Sequence, residues 1–143
     1  MSRNCRFAVA VHVAALLAMK DGAPATSEWL AGSVNTNPVV VRRILSSLSK
    51  AGLVHSQRGV AGGSILARPA AAISLLELYR VVDDDEGTAT HHQPPNPACP
   101  VGANIVSVLV GIIDRAEGAK ERELAKTSVA DVVAAIAARS PVP

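Results

Sequence analysis

Aromatic residues are nearly missing from this sequence: Phe7, Trp29 and Tyr79 are the whole complement in 143 residues. Hydrophobic residues still make up 49% of the chain. The core must therefore be assembled from Ala, Val, Leu and Ile, which suits closely packed helices better than a sandwich or barrel. Cysteine is as scarce. Cys5 and Cys99 are too few for a disulfide framework, and a reducing cytosol is the simpler setting. Long apolar runs are lacking too. The stretch Phe7–Met19 falls short of the roughly 20 residues that a bilayer span needs. It follows Arg3 and Arg6 and precedes Ala23-Pro24-Ala25, a superficial likeness to a secretory leader. But it contains His12, and Lys20 and Asp21 come before any cleavage site, so it reads as a first helix and the protein as cytoplasmic, with no membrane partner.

Acidic residues are rare in one half only. Residues 1–68 carry eight Lys or Arg against Asp21 and Glu28, a balance of +6, whereas residues 69–143 balance to −4. A basic front half faces a polyanion, and the acidic back half does something else. The length fits one domain, or a small domain with an arm, and allows a core without staples.

The hydrophobic pattern supplies the elements. A first helix covers about Arg6 to Lys20, apolar on two sides, with His12 expected to be partly buried and satisfied. A short second helix, Ser27–Val34, is capped by Thr26 or Ser27 and anchored by Trp29 and Leu30. Asn35-Thr36-Asn37 breaks the chain, and Asn37 with Pro38 starts a third helix, Pro38–Lys50. There Val41, Ile44, Leu45 and Leu48 form one apolar stripe. Gly52 ends it. Two β-compatible runs, Leu53–Gln57 and Ser64–Arg68, flank the glycine-rich Arg58–Gly63, a hairpin with a mobile tip. No helix N-terminus follows Gly63, and the lysine–hydroxyl pair of a nucleotide-binding loop is absent. Ser74 and Glu77 make a capping box for a fourth helix, with Ile73 and Leu78 as its staple. The acidic run Asp83–Glu86 reads as a solvated helix end. A proline-rich loop reaches Ala98. A long helix then starts near Cys99 or Val101, with an apolar seam of Val101, Ile105, Val108, Leu109, Ile112, Ile113 and Ala116. Ser128 and Asp131 open a last helix bearing Val129, Val132, Val133 and Ile136.

The expected fold is mainly α with a small β-hairpin wing. A winged helix-turn-helix spans residues 1–82, with the helix-turn-helix at 26–50 and the wing at 53–68. A loop follows at 83–98, then a helical dimerisation or sensor arm at 99–143. The seam of the long helix cannot all face the small N-terminal core, which favours packing against a second copy over an intrachain pair with the last helix.

A second helix with a basic polar face, joined by a tight turn to a first, is sized for a DNA major groove. Val39, Arg42, Arg43 and Ser46 are its candidate contacts, since Arg pairs bidentately with guanine and an apolar side chain meets a thymine methyl. Two arginines on an isolated helix would be read as a solvated face, but here hairpin, turn and local charge agree. No nucleophile–base pair, carboxylate dyad or metal motif suggests an enzyme. The competing function is a winged-helix module for protein contact without sequence-specific DNA binding.

The stretch Val41-Arg42-Arg43-Ile44-Leu45-Ser46-Ser47-Leu48-Ser49-Lys50-Ala51-Gly52-Leu53-Val54 resembles the Rrf-two family of winged-helix regulators, which includes the IscR, NsrR and CymR types. The resemblance continues through Ser56–Arg68, Ile73–Val82 and Asn96–Val101, in the same order along most of the chain. It implies a homodimeric regulator, expected to be a repressor, on a roughly palindromic double-stranded operator. Arg42, Arg43 and Ser46 would then enter the major groove, and Arg58 and Gly59 at the wing tip would reach the minor groove. Iron–sulfur members of the family use three cysteines before and at the start of the long helix. This sequence has only Cys99 there, and a cluster wants about four ligands, mostly thiolates, so no cofactor is expected. Cys99 is either a redox sensor favoured by a helix N-terminus or an inert residue packed under the proline loop, the second being the preferred reading. His91, His92 and Cys99 lack a recognised metal spacing. No residue pattern singles out an effector.

Overall fold

The computed structural model describes residues 5–83 and 88–140. The chain divides into two compact units. One joins the residues up to Asp83 with those from Leu124 onward, and the other covers the segment between them.

In the first unit, α1 (Arg6–Met19) is the central helix. It buries Val9, Ala10, Val13, Ala14, Ala15 and Leu17 and packs against α2 (Ser27–Val34), α3 (Pro38–Lys50), α4 (Leu75–Val82) and α6 (Val129–Arg139). Its alanines let four neighbours approach closely, which explains how a core with so few rings fills itself. The Thr26 hydroxyl accepts the Trp29 N–H at 3.1 Å to start α2. Asn35, in the left-handed conformation (φ 61°), ends it. Asn37 Oδ1 accepts the Val39 N–H at 2.9 Å, and Pro38 opens α3. The stripe Val41, Ile44, Leu45 and Leu48 is buried. Past α3, Gly52 has φ +76°, and the Leu53 N–H reaches back to the Leu48 carbonyl at 2.9 Å.

The hairpin pairs β1 (Val54–Gln57) with β2 (Gly63–Leu66) antiparallel, from Val54 opposite Leu66 to Gln57 opposite Gly63. Ala25, before α2, adds a one-residue bridge to the free edge. Its N–H donates to the Ser64 carbonyl at 3.0 Å, and the Ser64 N–H donates back at 2.8 Å. A 3-10 turn (Ala70–Ala72) leads to α4. The Ser74–Glu77 box is complete, and Glu77 also takes the Arg68 guanidinium at 2.6 Å, tying the exit of the wing to α4.

The Ser128–Asp131 box is complete as well, and the two capped helix starts are stitched together. The Leu75 N–H donates to the Thr127 carbonyl at 2.8 Å and the Val129 N–H to the Ile73 carbonyl at 2.9 Å. Ile73 and Val129 are both fully buried. The last helix thus packs on α1 within the first unit, rather than standing with the long helix in one arm at 99–143. Residue 129 enters the N-terminal core because the seam of the first four helices leaves a site for it.

Trp29 also departs from expectation: it is 47% exposed, and the Lys20 ammonium lies 4.6 Å from its ring centre. Leu30 and Ala31 are the buried residues of α2. His12 is half-buried, with Nε2 at 2.9 Å from Ser33 Oγ, a satisfied histidine as expected. The acidic run beyond Asp83 lies outside the described residues.

The second unit contains most of α5 (Pro100–Lys126), a 27-residue helix with no buried residue. Val101, Val108, Val110 and Ile112 are exposed. No helix among the described residues is long and apolar enough to cross a membrane.

Candidate nucleic-acid interface

The apolar stripe of α3 fixes what its other face shows. Each residue of an α-helix turns by about 100°, so burying Val41, Ile44, Leu45 and Leu48 sends Val39, Arg43, Ser46 and Lys50 outward, with Arg42 and Ser49 along one flank. All six are exposed. Val39, at the N-terminal end of α3, is 45% exposed.

A cleft of about 460 Å³ lies on the Arg42 flank, lined by Ser27, Arg42, Leu45, Ser46, Ser49, Lys50, Ser56 and Ser64. It joins α3 to the start of α2 and to both hairpin strands. Arg42 and Ser46 are brought together there. Arg43 is not. It lines a separate pocket of about 400 Å³ with Arg6, Val40 and Ile44, on the side of α1. Two neighbours in sequence thus serve opposite flanks of one helix.

Arg42 is engaged. Its Nη2 donates to Glu28 Oε1 at 2.6 Å across the turn between α2 and α3. The Glu28 carboxyl is held below its ordinary range, first by its own backbone N–H and then by Arg42. Arg58 and Gly59 stand at the exposed tip between β1 and β2. Gly59 has φ +113°, a conformation that other residues resist, and the Gly62 N–H closes the turn on its carbonyl at 3.0 Å. Sequence reasoning did not single out Ser27, Ser49, Lys50 or Ser56 in the cleft, nor Glu28. Lys50 was within reach, since it shares a face with Ser46. The others depend on how three elements meet.

Cys99 stands just before α5 and is exposed, not packed under the proline loop. Asn96 shapes this turn: its Oδ1 accepts the Ala98 N–H at 2.9 Å, and its carbonyl accepts the Cys99 N–H at 3.3 Å. A Cβ at Gly102 would overlap that carbonyl, so only glycine lets the loop cross the first turn of α5 so closely. The backbone N–H groups of Gly102 and then Val101 pull the thiol below its ordinary range. Among the described residues, no group of three or more His, Cys, Asp or Glu is placed to hold a metal ion.

Residues 3–135 match the family model described as "Rrf2: Iron-dependent Transcriptional regulator". YwnA of Bacillus subtilis, named as an HTH-type transcriptional regulator, is 46% identical over 130 residues, 91% of this chain and 96% of that protein. A crystal structure described as a DNA-binding protein shares 43% identity at TM-score 0.70, covering 89% of this chain and 97% of the other. The IscR structure from T. potens aligns at TM-score 0.77 with 19% identity, over 100% and 93% of the two chains; at that identity it speaks for the fold alone. The family description invokes iron, yet the donor set does not fit an iron–sulfur cluster. Cys99 is the one thiol in the loop and long helix, where about four ligands are needed.

Proposed function

This chain belongs to the Rrf2 family of DNA-binding transcription regulators, which are not enzymes, and on that premise we propose that it is a homodimeric repressor of a roughly palindromic operator. In this reading α3 enters the major groove with Val39, Arg42, Arg43 and Ser46, joined by Lys50. The wing tip brings Arg58 and Gly59 to the adjacent minor groove. The observation that carries it is the exposed basic face of α3, opening into a cleft shared with the hairpin. Val39 offers a methyl surface, Arg42 a fork for guanine, and Ser46 a small polar contact.

The dimer rests on α5. A 27-residue helix with no buried side chain and four exposed large aliphatics leaves an apolar face that a second copy covers by symmetry. Two recognition helices related by a two-fold axis then meet half-sites about one DNA turn, roughly 34–36 Å, apart. The protein works in the cytoplasm and holds no iron–sulfur cluster. Its signal is a redox or small-molecule one, and Cys99, exposed just before α5, is the candidate receiver in the redox case.

Titration with selected operator duplex across a salt series tests the reading. Each phosphate contact contributes a slope of about −0.9 in log K against log salt. A flat response indicates the competing protein-contact module. Arg58→Ala should cost most affinity where the flanking minor groove is narrow; an equal loss on all flanks removes Arg58 from groove reading. A peroxide effect on operator binding that survives Cys99→Ser removes Cys99 from sensing.

A further inference from the structure

Residues 1–68 contain two carboxylates, Asp21 and Glu28, and Glu28 pairs with an arginine of the proposed DNA-facing surface. Glu28 lies in the first turn of α2, where its negative charge suits the helix dipole. Its carboxyl is held below the ordinary range, by its own backbone N–H first and by Arg42 next. The contact joins the two helices of the helix-turn-helix across fourteen residues, with Arg42 Nη2 at 2.6 Å from Glu28 Oε1. The side chains are 53% and 65% exposed. At such exposure an ion pair adds little to folding, yet this one engages an arginine that lines the cleft beside α3.

We propose that Glu28 is a specificity-determining residue that suppresses the attraction of Arg42 for phosphate while leaving its hydrogen-bonding fork available to a base. The proposal rests on the DNA-reading role of α3. A guanidinium has five N–H donors in a rigid plane, and Glu28 occupies one corner of it. The remaining edge still meets two neutral acceptors, such as O6 and N7 of guanine, by short directional bonds. Phosphate attraction depends instead on net charge, and the adjacent carboxylate cancels it. Non-specific binding is almost wholly electrostatic. Glu28 therefore weakens binding to arbitrary DNA more than to the operator, and it holds the Arg42 fork in one orientation before DNA arrives.

The test compares the full-length wild type with Glu28→Gln, Arg42→Ala and the double variant. The probes are a duplex recovered by wild type from a random pool and a scrambled duplex of equal composition, each across a salt series. Glu28→Gln should bind the scrambled duplex about two- to fivefold tighter at low salt, with a slope steeper by about 0.9. Operator affinity should change less, so the ratio of the two falls. In the Arg42→Ala background the same substitution should leave the ratio unchanged. An equal gain on both duplexes, or a loss of ratio that persists without Arg42, overturns the proposal. Glu28→Ala serves as a second variant, and melting curves show that each protein is folded. A wild type that selects no sequence overturns the DNA reading itself. A wild type that selects one, beside a Glu28→Gln that keeps the full ratio, overturns only the role of Glu28.

Discussion

Gly63→Ala is the most informative single change, because it places one methyl where only backbone can yield. Gly63 is the first residue of β2, opposite Gln57, and precedes Ser64, whose N–H and carbonyl both bond Ala25. A Cβ at position 63 would lie 2.5 Å from the Ala25 oxygen, 2.6 Å from its carbonyl carbon and 2.9 Å from its nitrogen. Carbon contacts settle near 3.5–4.0 Å, so the strand must retreat by about 1 Å. No rotamer change can absorb that. The retreat breaks both Ala25–Ser64 bonds, each contributing about 0.5–1.5 kcal/mol. Against this, alanine stiffens the unfolded chain by about 0.4–1 kcal/mol. The net expectation is about 1–2 kcal/mol of destabilisation in urea unfolding at unchanged m-value. Gly32→Ala is the matched control. It lies inside α2 with nothing within 4 Å of the added carbon, so the same change there should stabilise by about 0.5–1 kcal/mol. Because the bridge holds the wing to the body, Gly63→Ala should also weaken operator binding. Combining it with Arg58→Ala should add little further loss. A Gly63→Ala protein that is as stable as wild type within about 0.3 kcal/mol refutes the steric argument.

Four other expectations follow from particular contacts. The Glu77 carboxyl is held below its ordinary value of 4.5 by Arg68 first and by the Ser74 N–H next. Its contribution is therefore present above that value and lost as pH falls through the lower folded one; with the side chain 39% exposed, Glu77→Gln should cost about 0.5–1 kcal/mol at pH 7 and close to nothing near pH 2, read by thermal melts. In a Cys5→Ser background, Cys99 should react with iodoacetamide faster at neutral pH than an unperturbed thiol, and Gly102→Ala should slow it by displacing the Asn96 turn; equal rates for the two proteins count against the backbone N–H contribution. If α5 joins two copies as proposed, Val108→Glu with Ile112→Glu should convert a dimeric wild type to monomer in sedimentation without changing the far-UV spectrum, and a wild type that is monomeric at high concentration removes the α5 seam. Arg43→Ala should lower affinity about equally on every duplex and flatten the salt slope by about 0.9, whereas Arg42→Ala should lower discrimination.

Local signals made most of the helices legible. Asn37-Pro38 and Gly52 bracket α3 because capping and chain reversal are decided by neighbours in sequence. The two capping boxes were legible for the same reason, and both form. The wing was visible as two apolar runs around glycines. What escaped was long-range. Nothing near Ala25 announces that it bonds Ser64, and Ser74 gives no sign that Thr127 will lie beside it. Trp29 misled because a tryptophan in an apolar frame is read as an anchor, whereas the helix turns it outward beneath Lys20. The last helix was grouped with the long one because both follow the loop, yet its Val129 fills a hole in the first core that only packing defines.

The binding face shows the same division within two adjacent residues. That Arg42 and Arg43 lie off the apolar stripe follows from the helical period alone. That they separate by about 100° also follows from it, and it already implies two different surroundings. The period does not say which neighbour each one meets. Arg43 lines a pocket with Arg6, Val40 and Ile44, on the side of α1. Arg42 is set beside Glu28 at 2.6 Å, which on the proposed reading leaves its hydrogen-bonding edge to act. A count of positive charges treats the two as equal, but their neighbours differ, and on the proposed reading one arginine would answer to the charge of DNA and the other to the edge of a base.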